Sequence, residues 1–156
     1  MILIIVLSLL LDNTISLFIN KSSIFFPLFT LLSLIIIFSY KLKEYQFFIL
    51  SSVIGLIYDA IFTDTLFLNA SLFLLSSLGI YLIFKKIHYN LLSIVIVSLL
   101  LIVFYRIITY FLFLLSFGIS FDIFILLKGI YSSIIINIVY IVLLYFVRNK
   151  QINGSK

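Results

Sequence analysis

Six long apolar stretches, separated by short polar breaks, make up the chain. The breaks fall at residues 20–23, 41–44, 63–65, 85–88 and 116–122, and a polar tail begins at residue 148. We predict that each stretch is a membrane-spanning helix, because only helices and closed barrels satisfy the backbone within lipid. The predicted spans are residues 2–19, 24–40, 46–62, 66–84, 91–115 and 122–147.

The break at residues 63–65 is short, but the length of the flanking stretches supports it. An unbroken helix from residue 46 to residue 84 would be about 58 Å long, roughly twice the hydrocarbon thickness of a bilayer. Pro27 stands near the start of the second span, where a missing backbone N–H costs least. It is therefore a helix-start signal.

Composition excludes an ordinary soluble domain. Of the 156 residues, 65% are hydrophobic and 10% are charged, which is more apolar surface than a soluble core buries. Spans of about 20 residues each leave room only for short turns, so we predict one all-α transmembrane domain over residues 1–147 and a basic tail at 148–156. The first span carries Asp12 and Asn13 and follows no basic residue, so we expect no cleaved signal peptide.

Few side chains are suited to catalysis or metal binding. The chain has no Cys and a single His, His88, which excludes thiol chemistry and leaves no metal-ligand spacing. The Lys and Arg residues are scattered one or two at a time between apolar runs, so no basic stripe is available for nucleic acid. We predict no enzyme activity, no cofactor and no nucleic-acid partner.

The cations of the short loops predict the orientation in the membrane. In a zigzag of six spans, Lys21 falls on one side and all the others fall on the opposite side. Those others are Lys41, Lys43, Lys85, Lys86, Arg148, Lys150 and Lys156. Because cytoplasmic loops carry the excess of Lys and Arg, we expect a multi-pass membrane protein with both termini in the cytoplasm.

Four ionisable residues interrupt the spans at similar depths. Asp12, Asp59, Arg106 and Lys128 lie about 18, 20, 22 and 20 Å above the inner face of the membrane at the helical rise per residue. One unpaired charge near the bilayer centre costs on the order of 3 kcal/mol. We therefore expect pairing inside the bundle, with an Asp59–Arg106 contact and with Asp12 and Lys128 nearby.

Small and polar residues share helix faces with these charges, at spacings of three or four. The faces are Ser8, Asp12 and Ser16; Ser51, Gly55 and Asp59; Arg106, Thr109 and Tyr110; and Gly129, Ser133 and Asn137. Small residues let helices approach closely, so we expect these faces to point into the bundle and the Leu, Ile and Phe faces to meet lipid.

Two interpretations of this charged layer are open. One is a ligand pocket, because charges inside the membrane commonly mark the path of a solute or an ion. The other is a structural lock that fixes the packing of the helices. Three observations favour the lock. Two acids balance two bases, the layer contains no Glu, and no helix broken by Gly or Pro is evident in it.

A spaced motif occupies the centre of the chain: Pro27, then Gly55-Leu56-Ile57-Tyr58-Asp59, then Asn69-Ala70. It resembles the motif of the rod shape-determining protein MreD family, in which a glycine-leucine pair precedes an aspartate and an asparagine with small residues follows. The matching positions are Pro27, Gly55, Leu56, Asp59 and Asn69. One difference is that the family usually has a glycine just before the asparagine, where this chain has Phe67 and Leu68.

The resemblance implies a non-enzymatic role in the cell-elongation machinery, the elongasome. In that machinery MreD binds the membrane-anchored MreC and so links peptidoglycan synthesis outside the membrane to the MreB filament inside it. The resemblance also implies a helical fold similar to the substrate-binding S components of energy-coupling-factor transporters.

An S component of the vitamin type is the alternative, with a pocket lined by Asp12, Asp59, Asn69 and Arg106. Such a protein is expected to carry two alanines spaced by three in its first helix, whereas this chain has only Ala60 and Ala70. A subunit of another membrane complex would differ from an adaptor only in its partner. We therefore expect an adaptor that binds the lipid bilayer, MreC and other elongation proteins, rather than a small molecule.

Overall fold

The computed structural model describes residues 1–18, 27–62, 67–118 and 120–154, which form six α-helices and no strand. In chain order the helices are α1 (Ile2–Phe18), α2 (Phe29–Phe38), α3 (Glu44–Phe62), α4 (Leu68–Phe84), α5 (Leu91–Phe117) and α6 (Ile123–Gly154). Each predicted span overlaps one of them. The prediction of an all-helical fold is therefore confirmed, and the break near residue 64 separates two helices.

Three of these helices are long and apolar enough to cross a bilayer. They are α3, α5 and α6, over Glu44–Phe62, Leu91–Ser116 and Ile123–Lys150. The other three are shorter apolar helices, and α2, with 10 residues, is about 15 Å long. That the remaining helices belong to complete spans stays a prediction.

Helix α2 lies at the centre of the bundle. Its residues from Phe29 to Ile37 are all buried, and it contacts every other helix. The expectation that Leu and Ile faces meet lipid is therefore wrong for α2. Lipid tails are as apolar as Leu, so an apolar sequence does not distinguish a helix that faces lipid from one that other helices enclose.

Helices that follow each other along the chain pack in pairs, α1 with α2, α3 with α4, and α5 with α6. Gly55 allows a close crossing between α3 and α4. A Cβ atom at Gly55 would lie 2.6 Å from the Cα of Ala70 and 2.6 Å from the carbonyl oxygen of Asn69. Glycine is thus required where α3 crosses the start of α4, and Asp59 lies one turn further along α3.

Contacts of Arg148 bring two of the polar loops to one end of the bundle. Its Nη2 donates to the carbonyl of Ser39 at 3.3 Å, and its guanidinium lies 5.1 Å from the centre of the Tyr89 ring. Burial raises the pKa of the Tyr89 hydroxyl to about 12, so this group stays protonated at neutral pH and donates to the carbonyl of Ile35.

Helix α6 continues through these contacts to Gly154, past the predicted end of the sixth span at residue 147. Arg148 finds partners on the bundle instead of entering a loose tail, which keeps the last turns helical. The division into a domain at 1–147 and a tail at 148–156 stays a prediction. Lys21 and Lys156, two of the cations used for the orientation, lie outside the described residues.

We predict that Gly55→Ala destabilises the protein by about 1–3 kcal/mol, because the added methyl group meets backbone atoms of α4 that have no room to move. Gly79→Ala is the matched control, since a Cβ atom there would meet nothing within 4 Å. This control should raise stability by roughly 0.5–1 kcal/mol through helix propensity. Thermal unfolding in detergent, followed by circular dichroism, measures both. Equal melting temperatures for the two variants would refute the close crossing.

Candidate functional site

The carboxylate of Asp12 in α1 binds the first turn of α2 inside the bundle. Its Oδ1 accepts a hydrogen bond from the N–H of Phe29 at 3.0 Å. Its Oδ2 accepts from the N–H of Thr30 at 2.9 Å and from the hydroxyl of Thr30 at 2.5 Å. Asp12 is only 1% exposed. It therefore satisfies N–H groups that have no partner within their own helix and places a negative charge at the positive end of the helix dipole.

The carboxylate of Asp59 in α3 binds the first turn of α4 in the same way. Its Oδ1 accepts from the backbone N–H of Asn69 at 3.0 Å and from the side-chain Nδ2 of Asn69 at 2.8 Å. Its Oδ2 accepts from the N–H of Ala70 at 3.1 Å. Phe67, the residue that precedes α4, makes no side-chain capping bond. The cap of α4 is thus supplied by the preceding helix, as it is for α2.

A tyrosine takes the equivalent place in the third pair of helices. The hydroxyl of Tyr110 in α5 accepts from the N–H of Asp122 and donates to the carbonyl of Asp122, both at 2.8 Å. Asp122 also caps α6 directly, with Oδ1 accepting from the N–H of Phe124 at 2.8 Å. In all three pairs, a polar side chain of the first helix binds the start of the second.

Helix α6 closes over the start of α2. Oδ1 of Asn137 accepts from the N–H of Leu28 at 2.9 Å, and the hydroxyl of Tyr140 shares a hydrogen bond of 2.5 Å with that of Ser8. Pro27 has no N–H that needs a partner. Among the described residues, helix α2 begins at Phe29, whereas the predicted span began at residue 24. Residues 24–26 lie outside the described residues.

Arg106 of α5 joins the layer through α6. Its Nε and Nη2 donate to the hydroxyl oxygen of Ser133 at 3.0 and 2.7 Å, and that hydroxyl donates to the carbonyl of Gly129 at 2.9 Å. Tyr105, the neighbouring residue, donates to Oδ1 of Asn69 at 2.6 Å. A chain of hydrogen bonds thus runs from Asp59 through Asn69 to α5. The direct contact between Asp59 and Arg106 stays a prediction.

The structure brings four of the five predicted residues into one buried layer and leaves Lys128 outside it. Asp12, Asp59, Asn69 and Arg106 are buried, whereas Lys128 is exposed on α6. Lys128 lies only about 8 Å from the start of α6, where a long side chain can extend its charged end toward water. The prediction that Lys128 belongs to the buried layer is wrong, because the helical rise gives the depth of a residue but not the helix face on which it lies.

The predicted inward faces are otherwise confirmed wherever their side chains are described. Buried members are Ser8, Asp12, Ser51, Gly55, Asp59, Arg106, Tyr110, Gly129, Ser133 and Asn137. Thr109 is half-buried, and the side chain of Ser16 lies outside the description. Sequence analysis missed Thr30, Tyr105 and Tyr140. Tyr140 follows Asn137 by three residues and so shares its face, which is a signal that identifies it.

The geometry of this layer suits structural support better than chemistry. The oxygens of Asp12 and Asp59 accept bonds from backbone N–H groups of the chain itself. Among the described residues, no group of three or more His, Cys, Asp or Glu side chains could hold a metal ion. The observed action of the two carboxylates is to anchor the starts of α2 and α4.

The family model for the rod shape-determining protein MreD matches residues 1–150. The chain belongs to the MreD family. No curated protein and no solved structure matches it, so the implied likeness to S components of energy-coupling-factor transporters stays a prediction.

The structure gives physical roles to most of the positions that carry the MreD motif. Gly55 allows the close crossing, Asp59 caps α4, Asn69 connects that cap to Tyr105, and Pro27 precedes α2. Leu56 is different, because its side chain is 39% exposed and has no part in the caps.

Phe67 and Leu68 stand just before Asn69, where the resemblance leads us to expect a glycine. The φ of Phe67 is +66°, in the left-handed region that costs an ordinary residue roughly 1–2 kcal/mol and that glycine adopts freely. The backbone shape of this turn is therefore the one that the usual glycine would favour, and the chain adopts it with a phenylalanine that is mostly exposed.

We predict that Asp12→Ala and Asp59→Ala each destabilise the protein by about 1–3 kcal/mol for every backbone N–H left unpaired. The Asp→Asn variants should fall between wild type and Ala, because one acceptor oxygen remains. Asp122→Ala is the control, because its cap is exposed and should cost only about 1 kcal/mol. Thermal unfolding in detergent measures the series, and equal losses at all three aspartates would contradict buried capping.

The predicted contact between Asp59 and Arg106 is tested by a double-mutant cycle. Arg106→Gln should lower the melting temperature, because the guanidinium donates to Ser133, and adding Asp59→Asn should restore part of the loss if the charges interact. Arg106→Gln combined with Glu44→Gln, at the other end of α3, should be additive. Additivity within about 0.5 kcal/mol for the first pair as well would show that no direct contact exists.

Proposed function

We propose that the chain is a non-enzymatic subunit of the bacterial cell-elongation machinery, where it scaffolds MreC and proteins of peptidoglycan synthesis. Membership of the MreD family, over residues 1–150, is the observation that carries the proposal. The family acts in rod shape determination. The partners come from the resemblance of the motif around Gly55 and Asp59.

The use of the polar groups supports a scaffold. Asp12, Asp59 and Arg106 are engaged with helix starts and with Ser133, so the layer acts as a rigid support. Large apolar side chains cover the outside of α1, α3, α5 and α6. A scaffold of this kind recruits partners through its helix surfaces and short loops, with no need for a substrate path.

We propose six membrane spans with both termini in the cytoplasm of a bacterium, in its inner membrane. The contacts of Arg148 with Ser39 and Tyr89 support this topology, because they bring the two most basic loops and the end of α6 to one side. Those loops carry Lys41, Lys43, Lys85 and Lys86. The excess of cations on this side supports its assignment to the cytoplasm.

The alternative, a vitamin-binding S component, has less support. In that role Asp12, Asp59, Asn69 and Arg106 would bind a solute. Their hydrogen bonds are instead made with α2, α4, α5 and α6 of the same chain. A solute would have to replace bonds at the starts of two helices, which would leave buried N–H groups unpaired.

The test is gentle detergent extraction of the tagged chain from its own cells, followed by mass spectrometry of the proteins and small molecules that remain bound. We expect MreC and peptidoglycan-synthesis enzymes to be enriched over an untagged strain. Depletion of the chain should turn rod-shaped cells round, because the family determines rod shape.

Asp122→Ala and Asp59→Ala separate a folding defect from a loss of partners. Asp122→Ala should keep both the partners and the cell shape, whereas Asp59→Ala should lose both in proportion to the loss of folded protein. Recovery of a transporter ATPase with its membrane scaffold, or of a vitamin-like ligand, would contradict the adaptor and favour the S component.

A further inference from the structure

Aromatic contacts hold two basic loops side by side at the Arg148 end of the bundle. One loop follows α2 and the other follows α4. The rings of Phe38 and Phe84, at the ends of these two helices, are stacked with their centres 5.5 Å apart. Phe84 also packs against Tyr89 of the second loop, at 5.1 Å. Together with the contacts of Arg148 to Ser39 and Tyr89, these rings fix the position of one loop relative to the other.

Four exposed lysines of these loops form a surface that we call the basic end. They are Lys41, Lys43, Lys85 and Lys86. Among the described residues, Glu44 supplies the only carboxylate at this end, and it already accepts a hydrogen bond from the hydroxyl of Tyr81. The basic end is therefore a concentration of positive charge that the described part of the chain does not neutralise.

The loop after α2 gains no local stability from its two lysines. Lys41 has a φ of +53°, in the left-handed region that is unfavourable for residues other than glycine. Lys43 directly precedes α3, so its charge lies near the positive end of that helix dipole, where a cation is unfavourable. A bound anion would relieve this repulsion and would itself be stabilised by the dipole.

Exposed aromatic and apolar side chains beside the lysines indicate which anion is available. Tyr40 is 37% exposed, Tyr45 57% and Ile87 49%. Tyrosine rings favour the level of the lipid headgroups, and an exposed isoleucine is unfavourable in water. At the headgroup level the abundant anions are the phosphates of lipids. An acidic protein segment would suit a basic surface that stands in water, without these apolar neighbours.

We infer that the basic end binds the headgroup of an anionic phospholipid, with a phosphate between the loop after α2 and the loop after α4. Lys43 and Lys86 donate to the phosphate oxygens, since an ammonium group carries three donors. Basic pockets between membrane helices bind anionic headgroups in this way. The inference goes beyond the proposed function, because it adds a lipid ligand and does not depend on MreC.

The stability of the purified full-length chain in a neutral detergent tests the inference. Short-chain phosphatidylglycerol should raise the melting temperature as its concentration increases, because a ligand that binds only the folded state stabilises it. Phosphatidylcholine, whose phosphate is balanced by a cation, should leave the melting temperature unchanged. Raising NaCl from about 0.1 to about 1 M should remove most of the shift, because the screening length falls from about 10 to about 3 Å.

Lys43→Gln combined with Lys86→Gln removes one cation from each loop. Neither side chain has a hydrogen bond or an ion pair among the described residues. The two changes act on the dipoles of α3 and α4 in opposite directions, so the melting temperature without lipid should change little. The affinity for phosphatidylglycerol should fall roughly 25-fold, at about fivefold for each lysine.

A single substitution has a matched control on α6. Lys86→Gln alone should weaken lipid binding about fivefold, whereas Lys128→Gln, which also removes one exposed cation, should bind lipid normally. The double variant with Arg at positions 43 and 86 should keep the affinity, because the charges remain. Native mass spectrometry gives a measurement independent of unfolding: the wild-type chain should retain phosphatidylglycerol and the double Gln variant should lose it.

The outcomes separate the inference from the proposed function. Equal effects of phosphatidylglycerol and phosphatidylcholine, or equal lipid affinity of the wild type and the double Gln variant, overturn the inference and leave the scaffold role intact. Equal stabilisation by inorganic phosphate would assign the lysines to a free anion, and stabilisation by an oligoglutamate peptide without any by lipid would assign them to an acidic protein segment. Both results overturn the lipid site. Retention of lipid without recovery of MreC would overturn the scaffold role alone.

Discussion

The starts of α2 and α4 lie in the interior of an apolar bundle, and the need to satisfy their N–H groups governs much of the architecture. These N–H groups are buried, and their own helices offer them no acceptor. Two carboxylates, Asp12 and Asp59, supply the acceptors. Each acid is stabilised in return by several hydrogen-bond donors and by the dipole of the helix that it caps. Neither the carboxylate nor the N–H groups at the helix start are therefore buried without a partner.

Much of the fold was predictable from the chain. The polar breaks located six helices, and the spacing of Ser51, Gly55 and Asp59 identified a buried face, because period and composition are local properties. The enclosure of α2 was not predictable, since lipid and protein are equally apolar surroundings for Leu and Ile. The partners of Asp12 were missed because charge pairing was expected, whereas backbone amides of α2 bind it. Lys128 was misplaced because depth alone does not define a helix face.

The buried layer and the contact between α4 and α5 have opposite characters. At the layer, polar side chains find partners within the chain, and close packing at Gly55 holds them in register. Between α4 and α5, the buried hydroxyl of Ser76 has no hydrogen-bond partner among the described residues, and a Cβ atom at Gly79 would meet nothing within 4 Å. Close packing and satisfied polar groups thus occur together at the layer.

Each capping side chain precedes the helix that it caps, and the two are close in sequence. Asp59 and Asn69 are 10 residues apart, Tyr110 and Asp122 are 12 apart, and Asp12 and Thr30 are 18 apart. During synthesis, each hairpin can therefore neutralise its own buried groups as soon as its second helix leaves the ribosome. The bonds from α6 back to Ser8, Leu28 and Ser39, which are 132, 109 and 109 residues away, wait for the end of translation. The bonds from Asp12, Asp59 and Tyr110 to the start of the following helix thus form within each helical pair, before the rest of the bundle is complete.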